Sequence, residues 1–249
     1  MKKICIVGAK GYIGSQLLID LKKKYKIISV SRKNINEKEI STGIFKKITG
    51  DIKLERTIKK IINEKPEYII YVSGFNHFKS EKSLELTLVN NNNPLINLCE
   101  EISKNKNFKK IIYFSSFQVY GNYQEHKIID DNIQKNPKNY YGLSHSINED
   151  LLKIAKLKFN INYDIIRLTN SYGYPTLPSN DCWWLVINDL CRNYVQFNKI
   201  VINSDGKQFR NFIHLEDVVK FIKILLNKKK SPSEIYNLSS HETVQIKKI

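Results

Sequence analysis

Short apolar runs alternate with amphipathic stretches along the first two-thirds of the chain. Ile4-Cys5-Ile6-Val7 is apolar throughout and ends in Gly8, the pattern of a strand buried on both faces. Residues 12–23 follow with Ile13, Leu17, Leu18 and Leu21 on one side at helical spacing. The same reading predicts strands at 26–31, 44–48, 68–72, 110–115 and 163–168, and helices at 54–63 and 140–159. A longer helical stretch, 82–104, is interrupted by the Asn run before Pro94, because the residue ahead of a proline avoids the helical region. Strands that alternate with helices imply a parallel sheet covered on both sides.

Beyond residue 170 the pattern changes. Pro175 and Pro178 mark a loop, a helix is expected over 182–194, a strand over 199–203 ahead of the turn at Ser204-Asp205-Gly206, and a helix over 215–226. The expected architecture is α/β, a doubly wound parallel sheet over 1–169 with a small C-terminal cap over 170–249, some segments of which return to the sheet. No internal repeat is visible.

Composition narrows this picture in three places. No apolar run approaches the roughly 20 residues of a membrane span. The apolar stretch after Lys2-Lys3 ends at Gly8, too short for the core of a signal peptide, so a cytoplasmic protein with no membrane partner is expected. Cys5, Cys99, Cys182 and Cys191 lack CxxC spacing, which points to reduced, structural cysteines and to no metal site. The formal charge of +17 comes from lysines dispersed along the whole length, and Lys228-Lys229-Lys230 suits a helix end. With no aromatic-and-basic platform, nucleic-acid binding is not expected, although the same field favours a small polyanion.

Two features carry candidate chemistry. In VGAKGYIG, Gly8, Gly11 and Gly14 stand between the first strand and the first helix. There the first glycine permits a tight turn, the second admits a pyrophosphate and the third lets the helix pack on the strand. Dinucleotide binding is the expectation. The second strand ends in Ser31-Arg32-Lys33 rather than in an acid, which tilts the cofactor from NAD towards NADP and leaves both open. Farther on, Tyr141 and His145 lie four apart and share a helical face. They are either a proton-transfer pair or two ordinary residues lining a pocket.

The segments GAKGYIG (8–14), GDI (50–52), SSFQVYG (115–121), YGLSH (141–145), RLTNSYG (167–173) and RNFIHLEDV (210–218) occur in order. Together they resemble the extended short-chain dehydrogenase/reductases, the NAD(P)-dependent sugar-nucleotide epimerases, dehydratases and reductases. The resemblance covers essentially the whole chain and implies a Rossmann sheet with a substrate-binding cap, a sugar-nucleotide substrate and a homodimer. It implies that Gly8, Gly11, Tyr12, Ile13 and Gly14 hold the pyrophosphate, and that Asp51 and Ile52 flank the adenine. Ser73, Gly74, Asn76 and Asn91 would line the rest of the cofactor. Ser116 would hydrogen-bond the reacting sugar oxygen, Tyr141 would be the general acid/base, and Asn170 and Arg210 would contact the sugar and its diphosphate.

Two departures from that family pattern matter. Its 4,6-dehydratases carry Asp-Glu directly after the catalytic Ser/Thr, where this chain has Phe117 and Gln118, neither able to transfer that proton. They are expected beside the substrate, and dehydration is disfavoured. The family motif is also Tyr-x-x-x-Lys, whereas here the fourth position is His145. The lysine binds the nicotinamide ribose and lowers the tyrosine pKa; a neutral imidazole gives no such help and a protonated one does. The implied activity is hydride transfer at a ring carbon of a sugar nucleotide, position 4, in polysaccharide or glycoconjugate precursor synthesis, with epimerase and reductase both open. A second reading is a catalytically quiet dinucleotide-binding regulator or partner subunit. His145 motivates it, as does the final stretch 234–249, which resembles a segment that precedes further cap helices.

Overall fold

The computed structural model describes residues 1–35, 40, 42–121, 129, 133–202, 204–228 and 232–249. Its strands are β1 (Lys3–Val7), β2 (Lys26–Ser31), β3 (Lys46–Thr49), β4 (Tyr68–Tyr71), β5 (Lys110–Ser116), β6 (Asn162–Leu168), β7 (Asn170–Tyr172), β8 (Phe209–His214), β9 (Glu234–Leu238) and β10 (Thr243–Gln245). Its helices are α1 (Tyr12–Leu21), α2 (Glu55–Asn63), α3 (His77–Ser80), α4 (Leu84–Asn91), α5 (Asn93–Ile102), α6 (Tyr140–Phe159), α7 (Val186–Phe197) and α8 (Leu215–Asn227).

Seven strands form a parallel sheet in the order β3-β2-β1-β4-β5-β6-β9, and β10-β8-β7 form a second, smaller sheet. Alternate residues of β1 enter opposite cores. Ile4 and Ile6 join Leu17, Leu18 and Leu21 of α1 and Val218, Ile222 and Leu225 of α8. Cys5 and Val7 join Ile58 and Ile61 of α2, Leu95 and Leu98 of α5 and Leu152 of α6. The fold is thus a doubly wound α/β sheet. The order in which strands are added reverses between β1 and β4, the switch point where such sheets open a crevice at the strands' carboxyl ends.

Most elements lie where the periodicity places them, and the differences have local causes. The 82–104 stretch divides at Asn92, with Pro94 accommodated in the first turn of α5, where its missing N–H costs nothing. The helix expected from 182 starts at Val186, because the N–H of Leu185 closes a turn on the Cys182 carbonyl. The expected strand over 199–203 is absent in its described part, 199–202, and Asn203 lies outside the described residues. Asn198 closes α7 in the left-handed conformation, φ 51°, and Ile200, Val201 and Ile202 follow exposed, without a neighbouring strand. Within 170–249, the segment from which parts were expected to return to the sheet, α8 packs with α1 on the main sheet and β9 is its seventh strand. Lys228 does cap α8, while Lys229 and Lys230 lie outside the described residues. All four cysteines are free, but Cys191 is exposed on α7 rather than packed in a core. Among the described residues no helix is long and apolar enough to cross a membrane, and no group of three His, Cys, Asp or Glu could hold a metal ion.

A buried ion pair sets where α6 lies along the sheet. The Glu149 carboxylate accepts from Arg167 Nε at 3.0 Å and Nη2 at 2.8 Å on β6, and from Ser115 Oγ at 2.7 Å on β5. Both partners of the pair are buried, so removing one leaves an uncompensated interior charge. Glu149→Ala is expected to lower unfolding stability by about 3–5 kcal/mol in a denaturant titration. A loss under about 1 kcal/mol, the scale of a surface pair, would show that this pair does not anchor the helix.

Candidate active site

The loop from β1 to α1 uses its glycines for different ends. Gly8 has φ +94°, and its N–H and that of Ala9 both bond the Val30 carbonyl at 3.0 Å. A Cβ on Gly14 would lie 2.2 Å from the Gly8 oxygen, so the first helical turn is pressed onto the loop. Gly11 is different. Its φ is an ordinary −72°, and a Cβ there would meet nothing within 4 Å but the Gly8 oxygen, at 3.2 Å. Gly8 and Gly14 therefore serve the fold, and Gly11 leaves the helix start accessible. As N-cap, Gly11 brings no side-chain bond, and Tyr12, Ile13 and Gly14 have no helical carbonyl to receive their N–H groups. That is a cradle for a phosphate oxygen, and it fits a dinucleotide pyrophosphate.

Only the backbone of Tyr12 faces this cradle. Its hydroxyl donates to the Gly173 carbonyl at 2.7 Å and accepts from Asn188 Nδ2 at 3.1 Å, and burial pushes the phenol up to about 12. Tyr12 thus ties the glycine loop to the segment after β7 and to α7. The Ile13 side chain packs on the core.

At the far end of the crevice, Ser31 closes β2, and its hydroxyl donates to the Lys33 carbonyl at 2.8 Å. Arg32 is exposed and makes no ion pair among the described residues. Asp51 accepts from the N–H of Lys53 at 3.0 Å, and Ile52 is buried against Val30 and Ile48. After β4, Ser73 and Gly74 lead to two asparagines whose side-chain oxygens are already committed to the backbone. Asn91 Oδ1 accepts from the N–H of Phe75 at 2.6 Å while its Nδ2 donates to Ser144 Oγ at 3.0 Å. Asn76 Oδ1 caps α3 through the N–H of Lys79 at 3.0 Å. Asn91 is therefore a buried clamp between loop and α6.

The candidate reacting groups come from two elements. Ser116 is the last residue of β5, and Tyr141 is the second of α6. Asn139 caps α6 through the N–H of Gly142 at 2.7 Å and donates to Gln118 Oε1 at 2.8 Å. A Cβ on Gly142 would sit 2.5 Å from the Gln118 carbonyl oxygen, so this glycine lets the helix begin against the turn Phe117–Tyr120. The Tyr141 side chain is thereby brought beside that of Ser116. Burial pushes Tyr141 up to about 12, against the opposite pull of the Ser116 side chain.

His145 packs its ring 4.5 Å, centroid to centroid, from Tyr141, nearly edge-on. Its Nδ1 lies 2.7 Å from the Tyr113 hydroxyl. Burial lowers its pKa to about 4, so the imidazole is neutral at pH 7. On the other side His77 stands edge-on to Tyr141 at 6.2 Å. The structure thus unites Ser116, Tyr141 and His145, and it leaves the third without a charge.

Phe117 packs edge-on to Tyr120 at 5.2 Å. Asn170 opens β7 two residues beyond Leu168, the β6 partner of Ser116, and its Nδ2 donates to the Asn211 carbonyl at 2.9 Å. Arg210 is exposed on β8, where Nη1 donates to the Phe209 carbonyl at 2.9 Å. Both therefore belong to the small sheet. Sequence reading missed Tyr113, Gly142, Asn148 and Glu149. Asn148 carried a signal, since it falls on the face shared by Tyr141 and His145. Tyr113 carried another, because a tyrosine inside a buried strand needs a partner for its hydroxyl.

A model of the NAD dependent epimerase/dehydratase family matches residues 4–239. The dTDP-D-glucose 4,6-dehydratase of Dictyostelium discoideum is 28% identical over 267 residues, covering 96% of this chain and 58% of that protein. The chain therefore spans less than two-thirds of that relative's length. The solved UDP-glucose 4-epimerase of Thermotoga maritima, with UDP-glucose, has a TM-score of 0.87 at 20% identity, over 98% of this chain and 79% of that one. The UDP-glucuronic acid 4-epimerase of Bacillus cereus, in complex with UDP-glucuronic acid and NAD, has a TM-score of 0.85 at 22% identity, with the same coverage.

The open position at Gly11 yields a direct test. Gly11→Val is expected to leave a folded protein that no longer binds NAD or NADP, because its side chain occupies the phosphate approach. Undiminished affinity by calorimetry would place the dinucleotide elsewhere.

Proposed function

From the premise that the chain belongs to the NAD dependent epimerase/dehydratase family, we propose that it transfers hydride at a ring carbon of a sugar nucleotide, carbon 4, as an epimerase or reductase supplying polysaccharide or glycoconjugate precursors. The observation that carries this reading is the position of Tyr141, edge-on to His145, beside Ser116 at the carboxyl end of β5. Bound NAD(P) supplies the hydride acceptor and donor. The chain's residues handle the proton. The Tyr141 phenolate takes the hydroxyl proton as the sugar carbon loses its hydride, and the return reaction gives both back. Ser116 holds the same oxygen. Asn170 and Arg210 bind the sugar and diphosphate, the exposed guanidinium being a fork suited to two phosphate oxygens. Dehydration is disfavoured here even though the Dictyostelium relative is a dehydratase. Phe117 offers no proton, and the Gln118 side-chain oxygen is held by Asn139.

The cofactor preference we propose is NADP. Ser31, Arg32 and Lys33 bring a hydroxyl and two cations to the end of β2 without an acid, which suits a 2′-phosphate. We also propose a homodimer, supported by exposed Leu86 and Val89 on α4 and Ile154 and Leu157 on α6. A monomer in equilibrium sedimentation at micromolar concentration would contradict that state.

Incubation with UDP-, GDP- and dTDP-sugars is expected to give an epimer or a redox change on at least one of them, abolished by Tyr141→Phe. Cofactor binding with no turnover on any would overturn the enzymatic reading. Arg32→Ala is expected to weaken NADP by on the order of 1.5–3 kcal/mol and to leave NAD nearly unchanged. Equal losses for the two would mean that Arg32 does not read the phosphate.

A further inference from the structure

The hydrogen bonds behind His145 determine which of its nitrogens carries the proton. Asn148 Nδ2 donates to the Asn91 carbonyl at 2.9 Å, and Asn148 Oδ1 accepts from Asn92 Nδ2 at 2.8 Å. Asn92 Nδ2 also donates to the Ser144 carbonyl at 2.8 Å. Backbone carbonyls only accept, so both amides have one orientation. The second Asn148 proton goes to the Tyr113 phenolic oxygen, 2.9 Å away. Tyr113 has then accepted a bond and has one proton left to give. It is buried at 2% exposure, and the acceptor beside it is His145 Nδ1 at 2.7 Å. If Nδ1 were the donor instead, the phenolic proton would be buried without a partner, the costlier arrangement.

We propose that Tyr113 and Asn148 are positioning residues that hold His145 as its neutral Nε2–H tautomer, so that this imidazole serves beside Tyr141 as an uncharged donor to a ligand hydroxyl. The inference rests on the reading of Tyr141 and His145 as members of the reacting site. It adds what the lysine motif does not provide. A lysine brings its own donors, whereas an imidazole must be told which nitrogen donates. The chain Asn148 to Tyr113 to His145 does this across α6 and β5. Burial works in the same direction, because it disfavours the imidazolium. The groups facing the ring are Tyr113 from β5 and Tyr141 from its own helix, both neutral phenols held above their usual range.

Nitrogen-15 NMR on histidine-labelled protein reads the tautomer without substrate, so it stays informative even if no sugar nucleotide is turned over. The chain has 5 histidines, and the spectrum of His145→Gln assigns the signal. At neutral pH the wild type is expected to show a protonated Nε2 and an unprotonated, hydrogen-bonded Nδ1. Tyr113→Phe is expected to shift the tautomer ratio towards Nδ1–H by about tenfold, the scale of one hydrogen bond. Asn148→Asp is expected to go further and invert it, because the carboxylate accepts a hydrogen bond from the Tyr113 O–H and leaves the phenolic oxygen to accept from Nδ1. A structural role alone would move the melting temperature and leave the ratio in place. A wild-type Nδ1–H tautomer or imidazolium at neutral pH overturns the proposal even if both variants misfold. So does an unchanged ratio in a folded Tyr113→Phe or Asn148→Asp protein.

Discussion

The Glu149 carboxylate, shared by Arg167 and Ser115, is the contact on which the site depends. It lies eight residues after Tyr141, about two turns along α6. Its partners stand on β5 and β6, one of them the residue before Ser116. Fixing Glu149 to both strands therefore fixes the start of α6 over their carboxyl ends. Gly142 and the Asn139 cap complete the approach at the turn after β5. A buried ion pair is an uncertain source of stability, since desolvation offsets the attraction. Here its directional bonds set a register between a helix and two strands. The chemistry follows from that register.

Packing so closely has an electrostatic consequence. The burial that aligns Tyr141 with Ser116 also raises its pKa and lowers that of His145. Both residues are held neutral at pH 7. Tyr141 as a base must lose a proton from a poorly hydrated position. His145 as a cation would have to gain one there. The imidazole therefore brings no charge, and the neighbouring Ser116 side chain is what pulls the Tyr141 pKa down. The acid side has its own sign. His145 titrates near 4 when folded and near 6.5 when unfolded. The unfolded chain then binds more protons between those values, and stability falls as pH drops through that window.

The sheet was legible because its strands are continuous apolar runs and its helices are amphipathic, two periods that local sequence carries well. β2 and α6 match their expected bounds to the residue. The small sheet was not legible. β7 and β10 have three residues each, and β8 mixes Arg210 and Asn211 with Phe212 and Ile213. Their pairing is set by tertiary contact rather than by any period. The apolar run after Asn198 misled for the same reason, since strand propensity without a neighbouring strand does not make a strand. At the site, the glycine loop and the Ser116–Tyr141–His145 grouping followed from motif order. Where Tyr12 and Asn91 send their side chains did not, because each is settled by a partner distant in sequence.

The central claim is that Tyr141 works beside an imidazole without charge, and the pH dependence of turnover tests it most directly. The rate of sugar oxidation by the wild type should rise steadily from neutral pH towards the alkaline limit, without an inflection near 6.5 from His145. His145→Lys places a permanent cation on the same helical face and should shift that rise to lower pH. The neutral-pH rate should increase about tenfold for each 1.4 kcal/mol of phenolate stabilisation recovered. A profile that His145→Lys leaves unmoved, or a slower enzyme at every pH, would contradict the account.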